Sequence, residues 1–134
     1  MLFHQHENTV GRKYNDGEVI IRQGEEADTM FVILKGAVEV VAYAEDDPAG
    51  ELTVLAVLEQ DEVFGEMSCF DKLPRSASVR ARGKARVLTV DSKGFLQRIQ
   101  ADPALAMRIF KKLSERIRTL NAEIVKLKAK TKDA

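Results

Sequence analysis

The sequence predicts a mainly β fold, closed or sandwiched like an antiparallel jelly roll and followed by a long helix. Three observations predict it. Short apolar runs rich in β-branched residues recur through the first two thirds, turn-forming residues separate them, and after Pro103 neither proline nor glycine interrupts a regular apolar stripe.

The runs are Val19-Ile20-Ile21, residues 30–34, 38–43, 52–58 and 87–90. Asn15-Asp16-Gly17, Gln23-Gly24, Lys35-Gly36, Asp46-Asp47-Pro48-Ala49-Gly50 and Gly83-Lys84 bound them, and these residue types favour reversals of the chain. Ser78-Val79-Arg80-Ala81-Arg82 alternates with period two, which turns Val79 and Ala81 inward and the arginines to water. The strand-rich body thus covers about 9–91 and a helical tail about 92–130. Ser92 is the expected N-cap of a short helix ending near Ile99. Asp102-Pro103 opens the longer one, with aspartate as cap and proline in the first turn. The domain division is therefore 1–101 and 102–134.

Along the long helix, Ala106, Phe110, Leu113, Ile117, Leu120, Ile124 and Leu127 advance in steps of four and three. Phe110, Ile117 and Ile124 occupy heptad position a, and Leu113, Leu120 and Leu127 position d. Isoleucine at a with leucine at d suits a parallel pair of helices, so Phe110, Leu113, Ile117, Leu120, Ile124 and Leu127 are the expected homodimer interface. Glu123 at g would then face Lys128 at e of the partner. One alternative is a helix folded onto its own body, which would bury a similar stripe; another packs the part around Phe110 on the body while Ile117 onward meets a second chain.

Length and composition bound the function. The 134 residues suffice for one proper core, and 45% apolar with 31% charged residues describes a globular chain. No run reaches a membrane span, and residues 1–13 lack the apolar stretch of an export signal, so a cytoplasmic protein without membrane insertion is expected. One cysteine, Cys69, forbids an internal disulfide, which fits a reducing compartment. It lies in a short apolar segment and reads as a core residue. His4 and His6 have no acidic ligand placed near them, and no metal is expected. Net charge is zero, yet residues 103–134 carry nine Lys or Arg against three Asp or Glu. Lysines at 126, 128, 130 and 132, without aromatics, suit the C-terminal end of a helix dipole better than a nucleic acid surface.

The chemistry concentrates in Phe64-Gly65-Glu66-Met67-Ser68-Cys69-Phe70-Asp71-Lys72-Leu73-Pro74-Arg75-Ser76-Ala77-Ser78. Unpartnered amides at a helix start near Gly65 favour an anion. Arg75 offers a forked cation to a phosphate. Glu66 accepts hydrogen bonds from hydroxyls and belongs beside a sugar, since it would repel the phosphate.

This segment resembles the phosphate-binding cassette of the cyclic-nucleotide-binding domain family. Phe64-Gly65-Glu66 and Pro74-Arg75-Ser76-Ala77-Ser78 match its pattern, and residues 17–24, 30–34, Gly36 and Val38-Glu39-Val40 look like the family's first strands. The resemblance implies an eight-stranded antiparallel β-roll with flanking helices, 1–101 as the nucleotide domain and 102–134 as a dimerisation or lid helix. It implies that Arg75 binds an equatorial phosphate oxygen and that Glu66 takes the ribose 2′-hydroxyl. Gly65 would lie against the sugar, with Met67 in the cassette turn. Ser68, Ser76 and Ala77 would complete the cradle. Asn121 would reach a purine edge, whereas Leu120 cannot. The expected protein is a non-enzymatic regulatory sensor, cAMP favoured over cGMP, whose ligand moves the C-terminal helix. Because the chain ends a few residues past the seam without a recognition helix, no direct nucleic acid binding is expected. A truncated sensor of a DNA-binding regulator and a diverged, ligand-free dimerisation scaffold remain as alternatives. A metal-dependent cupin would need histidines on its strands, and none stand there.

Overall fold

The computed structural model describes residues 11–47 and 49–133. One antiparallel sheet of six strands carries the body: β1 (Arg12–Tyr14), β2 (Val19–Ile21), β3 (Thr29–Tyr43), β4 (Leu52–Leu58), β5 (Val63–Phe64) and β6 (Ser78–Asp91). Its main path runs β1-β6-β3-β4, with β2 on β6 and β5 on β3. Three α-helices follow from the cassette onward: α1 (Glu66–Asp71), α2 (Ser92–Ala101) and α3 (Pro103–Asp133). A 3-10 turn, Ala44–Asp46, links β3 towards β4.

Two expectations change here. Helix and strand contents are roughly balanced, so the fold is mixed rather than mainly β, because α3 runs unbroken for 31 residues. The described sheet has six strands rather than eight, because the runs 30–34 and 38–43 join into β3, and 78–82 and 87–90 into β6. Glycine bends these strands without ending them. The β3–β6 register shifts on both sides of Lys35, beside Gly36 at φ 86°, where a Cβ would collide with the Lys84 carbonyl oxygen. The short strands β1 and β5 carry too few residues for a periodic signal.

Period-two alternation along β3 builds two cores. Phe31 and Ile33 enter a cluster inside the sheet's curl with Tyr14, Leu58, Phe64, Val79, Ala81 and Val87. Met30 and Val32 face the other way, meeting Cys69, Leu88, Val90, Leu105 and Ile109. Val79 and Ala81 point inward as the alternation requires, while Arg82 is exposed and Arg80 meets Glu39 at 3.1 Å. Cys69 is buried. Its neighbour Phe70 is 63% exposed, so the turn of α1 sends it outward.

The cap of α2 is Asp91 rather than Ser92: its Oδ1 accepts the Gly94 amide at 2.6 Å. Asp102 does precede α3, and its carbonyl accepts the Leu105 amide at 3.0 Å. The first half of α3 packs on the body through Leu105, Ile109 and Leu113 at i, i+4, i+8. Phe110, one step round the helix, is 63% exposed and does not face the body. Ile117, Leu120, Ile124 and Leu127 are also exposed, leaving most of the heptad stripe uncovered by this chain. Among the described residues no helix is long and apolar enough to cross a membrane.

Candidate functional site

The cassette is positioned by the sheet. β5 pairs with β3 at Phe31↔Phe64 and Val32↔Val63, and the chain then turns at Gly65 (φ 75°) into α1. A side chain at Gly65 would meet Arg75 Nη1 at 2.9 Å and Phe31 Cδ2 at 3.3 Å, so only glycine admits the arginine so close. The loop after α1 is stitched to the turn following β2. The Gly24 amide donates to the Arg75 carbonyl at 2.8 Å, and the Arg75 amide donates to the Glu25 carbonyl at 2.9 Å.

Arg75 is only 4% exposed. Its Nη1 donates to the Gly65 carbonyl at 2.8 Å and its Nη2 to Thr29 Oγ1 at 3.3 Å. The guanidinium carbon lies 5.7 Å from the centre of the Phe31 ring, which itself stacks on Phe64 at 4.9 Å. Neutral oxygens and a ring face therefore hold this buried cation. Among the described residues, no carboxylate forms an ion pair with it.

Arg75 opens onto a cavity of about 360 Å³, within the range typical of small-molecule sites. Gly65, Glu66, Met67, Ser68, Ser76 and Ala77 line it with Arg75, so seven of the eight expected ligand residues converge. Ile21, Val40, Leu55 and Leu58 give it an apolar floor. Glu66 is half-buried, and that burial raises its carboxyl above the ordinary carboxylate range. A hydrogen bond from its own backbone and the positive charges of Arg116 and Arg75 pull the other way.

Asn121 does not line the cavity. Leu120 and Glu123 do, together with Leu113 and Arg116, because successive helical residues are rotated by about 100° and Asn121 falls on the exposed side. Arg116 and Glu123 are not singled out by the heptad pattern as ligand neighbours, because it treats g positions as flanks of an interface between chains. Their spacing of seven was the available signal, since it sets both charges on one face beside the seam. Thr29 and Phe31 gave no signal at all, being more than forty residues from Arg75.

No group of His, Cys, Asp or Glu among the described residues could hold a metal ion. His4 and His6 lie outside the described residues.

Residues 11–102 match the sequence profile of the cyclic nucleotide-binding domain. The cAMP-activated global transcriptional regulator CRP of Salmonella typhimurium is 33% identical over 113 residues, covering 84% of this chain and 52% of that protein. The regulator of the same name in Pasteurella multocida is 30% identical over 116 residues, covering 86% and 54%. Among solved structures, the Thermus thermophilus catabolite activator protein superposes with a TM-score of 0.63 at 29% identity, over 87% of this chain and 54% of that one. The EAL enzyme Bd1971 in its halfsite-occupied form gives 0.59 at 29%, over 83% and 96%. CLP of Xanthomonas campestris, a c-di-GMP responsive global regulator, gives 0.71 at 23% over 87% and 57%, a likeness of fold. The chain spans about half the length of the curated relatives it matches.

Proposed function

Because the chain belongs to the cyclic nucleotide-binding domain family, we propose that it is a sensor module whose Arg75 grips a cyclic phosphate and whose Glu66 takes the ribose 2′-hydroxyl. One observation carries this reading: a buried guanidinium, held by a carbonyl, a hydroxyl and a ring, opens onto the cavity and, among the described residues, forms no ion pair. Burying a cation without a directly hydrogen-bonded anion is costly, and a phosphate entering the cavity would compensate it with charge-assisted hydrogen bonds. Ser68, Ser76 and Ala77 line the same cavity, which supports their part in the cradle, and Met67 lines it too.

The module is regulatory and carries out no reaction of its own. cAMP is the favoured ligand, supported by the names of the CRP relatives. The apolar floor suits a purine, and Leu120 leaves the adenine amino group without a partner on that residue. A ligand there touches Leu113, Arg116, Leu120 and Glu123, so its preference for one position of α3 becomes a shift of that helix. The exposed stripe Phe110, Ile117, Leu120, Ile124 and Leu127 then serves a cytoplasmic homodimer, with Leu113 shared between seam and body. The same stripe favours a second reading, a ligand-free dimerisation scaffold.

Calorimetry with cAMP, cGMP and c-di-GMP tests the proposal. A 1:1 exothermic isotherm with cAMP, and amide protection around residues 64–77, is the expected result. The scaffold predicts unchanged hydrogen exchange with every nucleotide. If neither cAMP nor cGMP binds or raises Tm at millimolar concentration, the sensor reading is wrong.

A further inference from the structure

The apolar anchoring of α3 ends before the cavity does. Leu113 is the last residue of the helix packed against the core, yet the cavity wall continues to Arg116, Leu120 and Glu123. On its other flank, this stretch of α3 faces β4 and the turn of residues 59–62 across a second cleft of about 260 Å³. Charge bridges that cleft. Glu62, only 8% exposed, accepts Arg116 Nη2 at 2.7 Å on one oxygen and the Glu59 amide at 2.7 Å on the other. Its neighbour Asp61 lies 3.6 Å from Arg108 Nε. Two adjacent carboxylates thus hold two arginines that lie about two turns apart on the helix.

The turn is itself firmly seated. Asp61 donates its amide to the Ile33 carbonyl at 2.9 Å, and Ile33 donates back to the Glu62 carbonyl at 3.0 Å. From Glu62 the chain enters β5 directly and then Gly65 and Glu66.

We infer that this turn is a clasp: Asp61 and Glu62 hold α3 across the nucleotide cavity through Arg108 and Arg116, and so set the grip on a ligand they do not touch. The inference rests on the sensor reading above. Glu62 lines only the second cleft; its reach into the nucleotide cavity is through Arg116, which lines both. Clasp and nucleotide favour the same position of α3, so each strengthens the other. When the clasp is broken, the helix spends less time in place, and apparent affinity falls by that fraction.

Three variants of the full chain test it. Glu62→Gln removes the charge at nearly constant size. Asp61→Asn does the same at a position of φ 71°, which asparagine tolerates. Glu39→Gln breaks the separate Arg80 pair and is the control. The readouts are calorimetric Kd for cAMP and cGMP, and hydrogen exchange across residues 113–123 with and without saturating nucleotide. Glu62→Gln is expected to raise Kd roughly five- to fiftyfold and to speed exchange in the ligand-free protein, with nucleotide restoring protection. Asp61→Asn follows more weakly, and Glu39→Gln changes neither readout. An unchanged Kd in Glu62→Gln overturns the inference, whether or not exchange quickens. If the native chain binds neither nucleotide, the sensor reading and this coupling fall together, whereas binding with unaffected variants sinks the clasp alone. Should Glu62→Gln not fold, Asp61→Asn takes its place in both measurements, and an unchanged Kd there overturns the inference equally.

Discussion

The loop that bears Arg75 and the outer half of α3 border one cavity and are held in opposite ways. Around Arg75 every constraint is short and internal: backbone bonds to the Gly24 turn, a carbonyl, a hydroxyl and a stacked aromatic pair. Beyond Leu113, the apolar side chains of α3 are mostly exposed, and the ion pair between Arg116 and the buried Glu62 ties the helix back. The first arrangement fixes a charge in place before a ligand arrives. The second leaves a wall that can be repositioned for little free energy. A sensor needs both, since a rigid receptor alone binds without reporting and a soft wall alone reports nothing specific.

The contrast can be broken most severely at its rigid end. Arg75→Ala is expected to weaken cyclic nucleotide binding by about 2–4 kcal/mol, roughly 30- to 1000-fold, measured by calorimetry. At the soft end, Ile124→Asp places a charge in the exposed stripe. It should weaken self-association by roughly 2–3 kcal/mol in sedimentation experiments while leaving the thermal unfolding of the β body nearly unchanged. Gly65→Ala sharpens the comparison by disturbing Arg75 without removing it. Left-handed strain of about 1–2 kcal/mol joins a Cβ 2.9 Å from Nη1, so both Tm and nucleotide affinity should fall.

The smallest effect concerns Glu66, where the two halves meet. Burial raises its carboxyl, so its contribution to folding is complete below the ordinary carboxylate range and is lost as pH rises through the elevated value. Glu66→Gln removes that loss. Its Tm should therefore gain on the native chain as pH climbs from about 4 towards 7, while its cyclic nucleotide affinity drops. A Tm difference independent of pH would show that the carboxyl titrates as if exposed.

What could be read from the sequence was local. Glu66 and Arg75 fall nine positions apart in one segment, and both reach the cavity wall because β5, α1 and the following loop keep them together. Thr29 and Phe31 come to Arg75 only through strand pairing, so no window of sequence contains all three. The heptad pattern announced the length of α3 and its exposed stripe but not its rotation about its own axis. That rotation depends on how Leu105 and Ile109 seat against Met30 and Val32, and it decided between Asn121 and Glu123. Strand number failed for a related reason. Apolar runs separated by a glycine look like two strands, whereas a bulge at Gly36 lets one ladder pass through.

β6 accompanies β3 only as far as Val41↔Ser78, while β3 continues to Tyr43. There the Gln23 carboxamide accepts the Tyr43 amide at 2.8 Å and donates to the Tyr43 carbonyl at 3.2 Å, and the Gln23 backbone amide donates to Ser78 Oγ at 2.8 Å. A carboxamide has the donor and acceptor of a peptide group, so this residue imitates one rung of a missing strand. It satisfies the ladder where a foreign chain would otherwise find matching groups to dock on, and so guards the molecule against edge-to-edge aggregation.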